Sequence, residues 1–319
     1  MSLGEFDLID RYFTRPPQRA LLGVGDDCAL LGLASGMQLA TSTDMLVEGR
    51  HFLSTVAPLR LGHKALAVNL SDLAACGAAP LAFTLALAMP RADESFLEGF
   101  SRGLFALADE HGCDLVGGDT TQGPLNICIS VFGEVPAGAA LLRSGARPGD
   151  DVYVSGTVGD ARLALELFRG TVALDGRDFE QVRTAMELPQ PRIALGIALR
   201  GVATSAIDVS DGLLGDLSHI LRKSGVGATV DVDTVPRSAV LQAQPDALQR
   251  LCALAGGDDY ELVFTAPAAR ADRVNDAARH AGVPVTRIGR IEPAAGLRLI
   301  DRHGRAVADS FGSFDHFRS

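Results

Sequence analysis

The sequence predicts a two-domain α/β protein, an α+β half followed by a mixed α/β half. Three observations carry this. At 319 residues the chain exceeds the size at which one hydrophobic core usually stops growing. Short apolar or alternating runs of strand length recur between longer stretches of helical spacing in both halves. A Gly-, Ala- and Pro-rich stretch over 136–149 interrupts that pattern, which sets domains at residues 1–137 and 138–319.

Taken in order, residues 5–13 place Phe6, Ile9 and Phe13 at helical spacing and stop at Pro16-Pro17. Residues 21–31 and 37–43, separated by Gly32 and Ser35-Gly36, read as a hairpin-like pair of strands. An Ala/Leu-rich helix over 61–76 ends near Gly77, and Pro80 opens a strand over 81–89. Asp93 or Ser95 caps a helix that aligns Phe96, Phe100, Leu104 and Leu107 and ends at Gly112. Strands at 115–116 and 126–135 complete the first layer pair. The second half opens with a strand over 151–155, then helices over 160–168, 179–187 and 192–200. A strand over 205–209 leads into a helix over 211–223 closed by Gly225. A strand over 228–232, a helix over 246–255, a strand over 260–265, a helix over 268–281 and strands over 285–291 and 297–301 follow. No fixed-period repeat is visible.

Charge excludes several function classes. The formal net charge is −10, which argues against a nucleic-acid footprint and for a small-molecule partner. Only Lys64 and Lys223 are lysines among 29 basic residues. No Gly-Lys-Ser/Thr exists, so a P-loop is excluded, and no Val-Ala-Ile-Lys, His-Arg-Asp or Asp-Phe-Gly appears. Any bound phosphate must then be neutralised mostly by metal and arginine. The start carries neither a basic n-region nor an apolar h-region, and no run of eighteen uncharged apolar residues occurs. The expectation is a cytoplasmic protein with no membrane contact. Five cysteines without a Cys-x-x-Cys pair read as reduced thiols, with Cys28, Cys76, Cys113, Cys128 and Cys252 in packing roles.

Seven short acidic motifs carry the chemistry: Gly25-Asp26-Asp27, Ser42-Thr43-Asp44, Asn69-Leu70-Ser71-Asp72, Gly117-Gly118-Asp119, Gly149-Asp150-Asp151, Asp208-Val209-Ser210-Asp211 and Gly256-Gly257-Asp258-Asp259. Carboxylates repeated at strand and loop ends suit a hard cation, and Mg²⁺ is usually held by a few carboxylates together with substrate phosphates. Asp44 ends three successive oxygen side chains. Asp72 lies on an otherwise apolar helix, sharing a face with Asn69, where a lone buried carboxylate is costly unless paired or metal-bound. Gly117-Gly118 lets backbone approach a ligand beside Asp119. Asp208, Ser210 and Asp211 occupy a strand-to-helix turn; Ser210 or Asp211 reads as the N-cap, and the helix amides favour an anion. Arg143 is a candidate phosphate clamp. Gly149-Asp150-Asp151 reads as an ordinary turn.

Together these residues resemble the thiamine-monophosphate kinases, within the superfamily that includes aminoimidazole ribonucleotide synthetase. The resemblance runs from Gly4-Glu5-Phe6 through Gly25-Asp26-Asp27-Cys28-Ala29, the Asn69-Leu70-Ser71-Asp72 helix, Arg143-Ser144-Gly145-Ala146, Ser210-Asp211-Gly212-Leu213 and Asp259-Tyr260-Glu261-Leu262 to Phe314-Asp315-His316-Phe317. It implies a PurM-like two-domain fold, with the N-terminal sheet forming a barrel in a homodimer. It implies Mg²⁺-dependent transfer of the ATP γ-phosphate onto thiamine monophosphate, giving thiamine diphosphate and ADP, the last step of thiamine diphosphate biosynthesis. The resemblance assigns Asp27, Ser42, Thr43, Asp44, Asp72, Asp119, Asp208 and Asp211 to several metal ions. Gly118, Asp119, Arg143 and Ser210 fall to the nucleotide, and His51, Asp258 and Phe314 to the substrate pocket. No general base is assigned. Asp258 stands where glutamate is often found, and Phe314 where tyrosine is common.

Two rival readings remain at this stage. One is an amidine- or selenophosphate-forming relative; the latter is expected to carry a reactive cysteine before the first Gly-Asp, and none precedes Cys28. The other is a binding regulator without turnover, against which the retention of every acidic motif argues.

Overall fold

The computed structural model describes residues 4–308. The chain divides into two compact units, one of residues up to Leu73 with Ala78–Gly138, the other of Ala74–Gly77 with residues from Ala139 on.

The first unit contains α1 (Glu5–Tyr12), β1 (Met37–Val47), α2 (Pro58–Cys76, whose last turn belongs to the other unit), β2 (Ala79–Met89), α3 (Glu94–His111), β3 (Asp114–Gln122) and β4 (Asn126–Pro136). Its sheet runs β1-β4-β2-β3, with β4 antiparallel to both neighbours and β2 parallel to β3 across the α3 connection. β4 alternates strictly, burying Ile127, Ile129 and Val131 while Cys128, Ser130 and Phe132 stay half-buried. The buried face is the helical side. Asp93 caps α3, its carboxylate accepting the Phe96 amide at 3.1 Å, and Gly112 closes it in the left-handed conformation. Helices α2 and α3 touch backbone to backbone: a Cβ on Gly62 would sit 2.0 Å from the Phe100 carbonyl oxygen, and one on Gly103 1.8 Å from that of Leu59.

Residues 21–31 differ from the expected strand. They fold back on themselves through a single Leu22–Leu30 bridge, so β1 pairs with β4 instead of with them. The reason lies on the other sheet face, where Ala20, Ala29 and Leu31, together with Phe132, pack on Leu81, Ala82 and Val116. Burial of these apolar side chains outweighs extended pairing. Asp114 Oδ2 holds the loop's entry by accepting the amides of Gln18, Arg19 and Ala20 at 2.9, 2.6 and 2.9 Å.

The second unit contains β5 (Asp150–Ser155), α4 (Asp160–Phe168), α5 (Gly176–Glu187), α6 (Ile193–Ala198), β6 (Ser205–Asp208), α7 (Leu213–Ser224), β7 (Gly227–Asp231), α8 (Ala239–Gln242), α9 (Asp246–Ala255), β8 (Leu262–Pro267), α10 (Ala271–Ala281, after a 3₁₀ turn), β9 (Val285–Glu292) and β10 (Gly296–Ile300). The sheet order is β10-β7-β9-β5-β8-β6, with only β10 and β7 parallel. Every residue of β5 is buried, as a strand covered on both faces requires. The Asp150-Asp151 turn expected from sequence is instead the buried start of this strand. Asp150 Oδ2 accepts the Arg147 amide and the Thr204 hydroxyl at 2.9 and 2.7 Å, and Asp151 pairs with Arg287 at 2.7 Å.

Beyond β10, Asp301 builds its own turn: Oδ1 accepts the amides of His303 and Arg305 and Oδ2 the Arg305 guanidinium, at 2.9, 2.9 and 2.8 Å. The Arg305 amide, then its side chain and the His303 amide, lower the Asp301 pKa from 3.8 to about 2. A depressed carboxyl pKa gives stability that is present above the unfolded value and lost as pH falls through the folded one. The gap in denaturant midpoint between wild type and Asp301→Asn is therefore expected to hold above pH 4 and to close between pH 4 and 2, as read by urea unfolding.

The five cysteines are free thiols. Cys113 and Cys252 are buried as expected, and burial pushes the Cys252 thiol up to about 12. Cys76 and Cys128 are only half-buried, and Cys28 is exposed in the turn that follows Asp27, not in a packing role.

Candidate functional site

In the first unit the acidic residues form two groups on two sheet faces. On the helical side, Ser42 Oγ donates to Asp72 Oδ2 at 2.5 Å, and Asn69 Oδ1 accepts the Asp44 amide at 3.0 Å. Asn69 is 1 % exposed and spends its amide group on the Ala65 carbonyl. The polar spot on an apolar helix thus binds α2 to the edge strand β1 and aims Asp72 at it. Thr43 does not join them. Successive strand residues face opposite ways, and the Thr43 hydroxyl meets Ser130 Oγ at 2.7 Å on the other face. The side chains of Ser42 and Asp44 thus share one face of β1 and that of Thr43 takes the other.

Register puts Asp119 on Thr43's face: it pairs with Ala86, which pairs with Cys128. Asp119 lies within β3, not in a turn after it, and is exposed. Gly118 is required by the sheet itself. Its φ is +150°, and a Cβ there would fall 1.8 Å from the Leu85 carbonyl oxygen. Asp27 is exposed in a tight turn where Asp26 Oδ1 accepts its amide at 2.8 Å. His51 closes β1, its Nδ1 accepting the Val47 amide at 3.0 Å, which leaves any proton of the neutral ring on Nε2.

The donor atoms on the helical side are hydroxyl and carboxylate oxygens, the set a hard cation prefers. Among the described residues no three His, Cys, Asp or Glu side chains gather closely enough to hold a metal by themselves.

The second unit joins two predicted loops. β6 delivers Asp208, 4 % exposed, at its last position. The Ser210 carbonyl then accepts the Asp258 amide and the Val209 carbonyl the Tyr260 amide, both at 2.9 Å, while the Val209 amide donates to Glu261 at 2.8 Å. Ser210, a nucleotide candidate, and Asp258, a substrate candidate, are thus held back to back. Asp258 and Tyr260 both have positive φ, 68° and 52°, and the Tyr260 hydroxyl donates to Asp258 Oδ1 at 3.0 Å. Non-glycine residues keep such backbone only where the surroundings impose it. Asp259, between them, is half-buried as a residue, but both its carboxylate oxygens lie inward, 2.9 Å from the Gly159 amide, and burial pushes its pKa well above the usual carboxylate range.

The helix after this loop is not capped as expected. Its N-cap is Gly212, with no side-chain cap, and neither Ser210 nor Asp211 serves. Asp216 does the work from inside the helix: its Oδ2 accepts the amides of Ser210, Asp211 and Gly212 at 3.0, 3.0 and 3.1 Å. The amides that lead into the helix are thus bound to a protein carboxylate. Burial pushes Asp216 up to about 7, against the pull of these amides. Arg143 is exposed, on a segment tied to α7 where Ser224 Oγ accepts the amides of Gly145 and Ala146 at 3.1 and 3.2 Å. Half-buried His219 feels Arg143 and Asp211 together: burial, then Arg222 and Arg143, lower its pKa, and Asp211 raises it. Phe314 lies outside the described residues.

Two residues escaped sequence reasoning. Asp216 falls on the stripe of Leu213, Leu217 and Ile220, all buried, so the argument that singled out Asp72 finds it as well. Arg192, whose Nε and Nη2 bind Glu261 at 2.8 and 2.5 Å, gave no comparable sign.

Residues 25–135 match the AIR synthase related protein N-terminal domain, and residues 147–302 its C-terminal domain. The thiamine-monophosphate kinase of Salmonella typhimurium is 47% identical over 323 residues, covering 99% of each chain. The crystal structure of thiamine-monophosphate kinase from Stenotrophomonas maltophilia superimposes with a TM-score of 0.86 at 46% identity, covering 96% of this chain and 99% of that one. A structure described as AaThiL complexed with AMPPCP and TMP gives 0.78 at 30% identity, covering 90% and 89%.

Proposed function

This chain belongs to the thiamine-monophosphate kinase family of AIR synthase related proteins, and we propose on that premise how its residues carry the family's reaction. It is an ATP-dependent kinase that transfers the γ-phosphoryl group to the phosphate of thiamine monophosphate, releasing thiamine diphosphate and ADP. The single observation that carries this reading is 47% identity to a thiamine-monophosphate kinase over 99% of both chains; the complex of a 30% identical relative with AMPPCP and TMP supports both substrates.

The chemistry asks little proton transfer of the protein. The second pKa of a phosphate monoester is about 6, so the attacking oxygen is already ionised near neutral pH. What remains is to align two anions for in-line transfer and to neutralise them. Bound Mg²⁺ supplies most of that charge. In the first unit, Asp44 and Asp72 with the Ser42 hydroxyl hold metal on the helical side, and Asp27 and Asp119 on the other. In the second unit, Asp208 and Asp211 hold metal, Ser210 contacts the nucleotide, and Arg143 clamps phosphate beside Asp211. Asp258, whose amide the Ser210 carbonyl holds, is the substrate candidate of the second unit, and His51 that of the first. Asp258 gives the thiazolium cation a carboxylate.

We also assign a homodimer. On the sheet face that the 20–31 loop covers in part, Leu39 and Met45 of the edge strand β1 are 48% and 52% exposed, and a second copy covers such a strip economically. No helix among the described residues is long and apolar enough to cross a membrane, and we place the enzyme in the cytoplasm with its small substrates. Purified protein given ATP, Mg²⁺ and thiamine monophosphate is expected to release thiamine diphosphate and ADP in equal amounts. ADP without thiamine diphosphate, or neither, would overturn the reading.

A further inference from the structure

We propose that Asp216 is a positioning residue for the reaction, fixing through three amides the loop that presents Asp208, Ser210, Asp211 and Asp258. This rests on the metal and nucleotide roles given above to residues 208–211. Three features of the geometry carry it. First, one oxygen, Oδ2, receives all three amides within 3.0–3.1 Å, so the peptide planes on either side of Ser210 and Asp211 converge on one point. Second, Asp216 is 3% exposed and lies among Leu213, Leu217 and Ile220 of its own helix. The anchor therefore cannot swing with solvent. Third, the peptide whose N–H it holds has a neighbour: Ser210, fixed at its amide by Asp216, accepts the Asp258 amide at its carbonyl, 2.9 Å away. Gly257 seals the contact, since a Cβ there would lie 2.3 Å from the Ser210 carbonyl oxygen. Gly212 seals the other side against Ala255, its Cβ position being 2.9 Å from that carbonyl carbon.

A short loop at a helix start usually leaves its first amides to water or to a ligand. Here an internal carboxylate fills that role for the amides of Ser210, Asp211 and Gly212. An aspartate that merely capped the helix would sit before it and satisfy one or two amides. Asp216 instead reaches back from the first turn and organises the loop as a whole.

The test uses Asp216→Asn, which keeps an acceptor oxygen without the charge, Asp216→Ala, which removes it, and Leu217→Ala as a core truncation of the same helix. In metal-free protein, amide hydrogen exchange at residues 210–212 is expected to accelerate about tenfold or more in Asp216→Ala and less in Asp216→Asn, the scale of losing hydrogen bonds to a charged group. Leu217→Ala should show no preference for these amides. In turnover, both Asp216 variants should need several-fold more Mg²⁺ for half-maximal rate and lose kcat, with Asp216→Asn closer to wild type, while Leu217→Ala loses rate only with its folded fraction. Calorimetric binding of Mg²⁺ with AMPPCP should weaken in the same order. If Asp216→Ala does not fold, Asp216→Asn decides alone. Wild-type exchange at 210–212, or wild-type Mg²⁺ dependence and kcat, in a folded Asp216 variant overturns the proposal. A wild-type enzyme that makes no thiamine diphosphate overturns the functional reading instead, and exchange and nucleotide binding still decide the role of Asp216.

Discussion

Replacing Asp72 by asparagine is expected to lower kcat by about 10²–10³ while leaving the fold in place. The substitution is nearly isosteric and keeps an oxygen where Ser42 Oγ now donates at 2.5 Å, so the link between α2 and β1 survives as a neutral hydrogen bond. What disappears is one negative charge facing Ser42 and Asp44. A hard cation held by one or two carboxylates loses much of its protein contribution when one is neutralised, and the phosphoryl group then reacts with its charge poorly compensated. Losing a preorganised electrostatic contact of this kind typically costs about 10²–10³ in kcat. Circular dichroism and melting temperature should stay within a few degrees of wild type. The pattern to look for is a fall in kcat that high Mg²⁺ partly restores. Full activity at ordinary Mg²⁺ would remove Asp72 from the metal site. Asn69 offers an internal comparison: it is almost fully buried and holds the Asp44 amide, so Asn69→Ala should lose stability as well as rate.

The contrast between Asp72 and Thr43 shows what one-dimensional reading can and cannot reach. A carboxylate on a helix with apolar residues all round is informative alone, because burial has a direct energetic cost; Asp72 stands out for that reason, and the structure gives it Ser42 as a partner. Three oxygen side chains in a row are not, because the strand's period of two sends the middle one to the other face. Helices were legible where caps and periodicity agreed, as in α3 with Asp93 and Gly112. Residues 21–31 were misread because alternating apolar residues also serve a loop folded over a sheet. The C-terminal loop pair was legible only in part. Its acidic residues stand out, yet the bonds between Ser210 and Asp258 join positions 48 apart in sequence, and no local pattern reports such pairing.

The same non-local wiring makes Arg192 the site of the largest expected loss of stability. Its guanidinium grips both oxygens of Glu261 at 2.8 and 2.5 Å, and Ser155 Oγ donates to the same carboxylate at 2.5 Å. The Glu261 side chain is 5% exposed and that of Arg192 24%. Removing one partner of such a pair leaves a charge that water cannot reach, which costs about 3–5 kcal/mol. For a unit of this size that corresponds to a melting temperature lower by about 6–20 °C. Relaxation cannot come from Gly156, because it lies directly beneath: a Cβ there would already sit 2.0 Å from Glu261 Oε1. Arg192→Ala is therefore expected to melt much lower than wild type. Arg192→Lys should recover little, since one ammonium cannot reproduce a two-point grip. Glu261 also carries function, because its carbonyl holds the Val209 amide and its chain neighbours Asp258 and Tyr260 sit in strained backbone. Below its melting temperature Arg192→Ala should then show a raised KM for thiamine monophosphate. A double-mutant cycle with Glu261→Gln separates the two effects: if the pair is what matters, the second substitution adds little to the first. An Arg192→Ala variant as stable as wild type would mean that the carboxylate is held by Ser155 and the backbone alone.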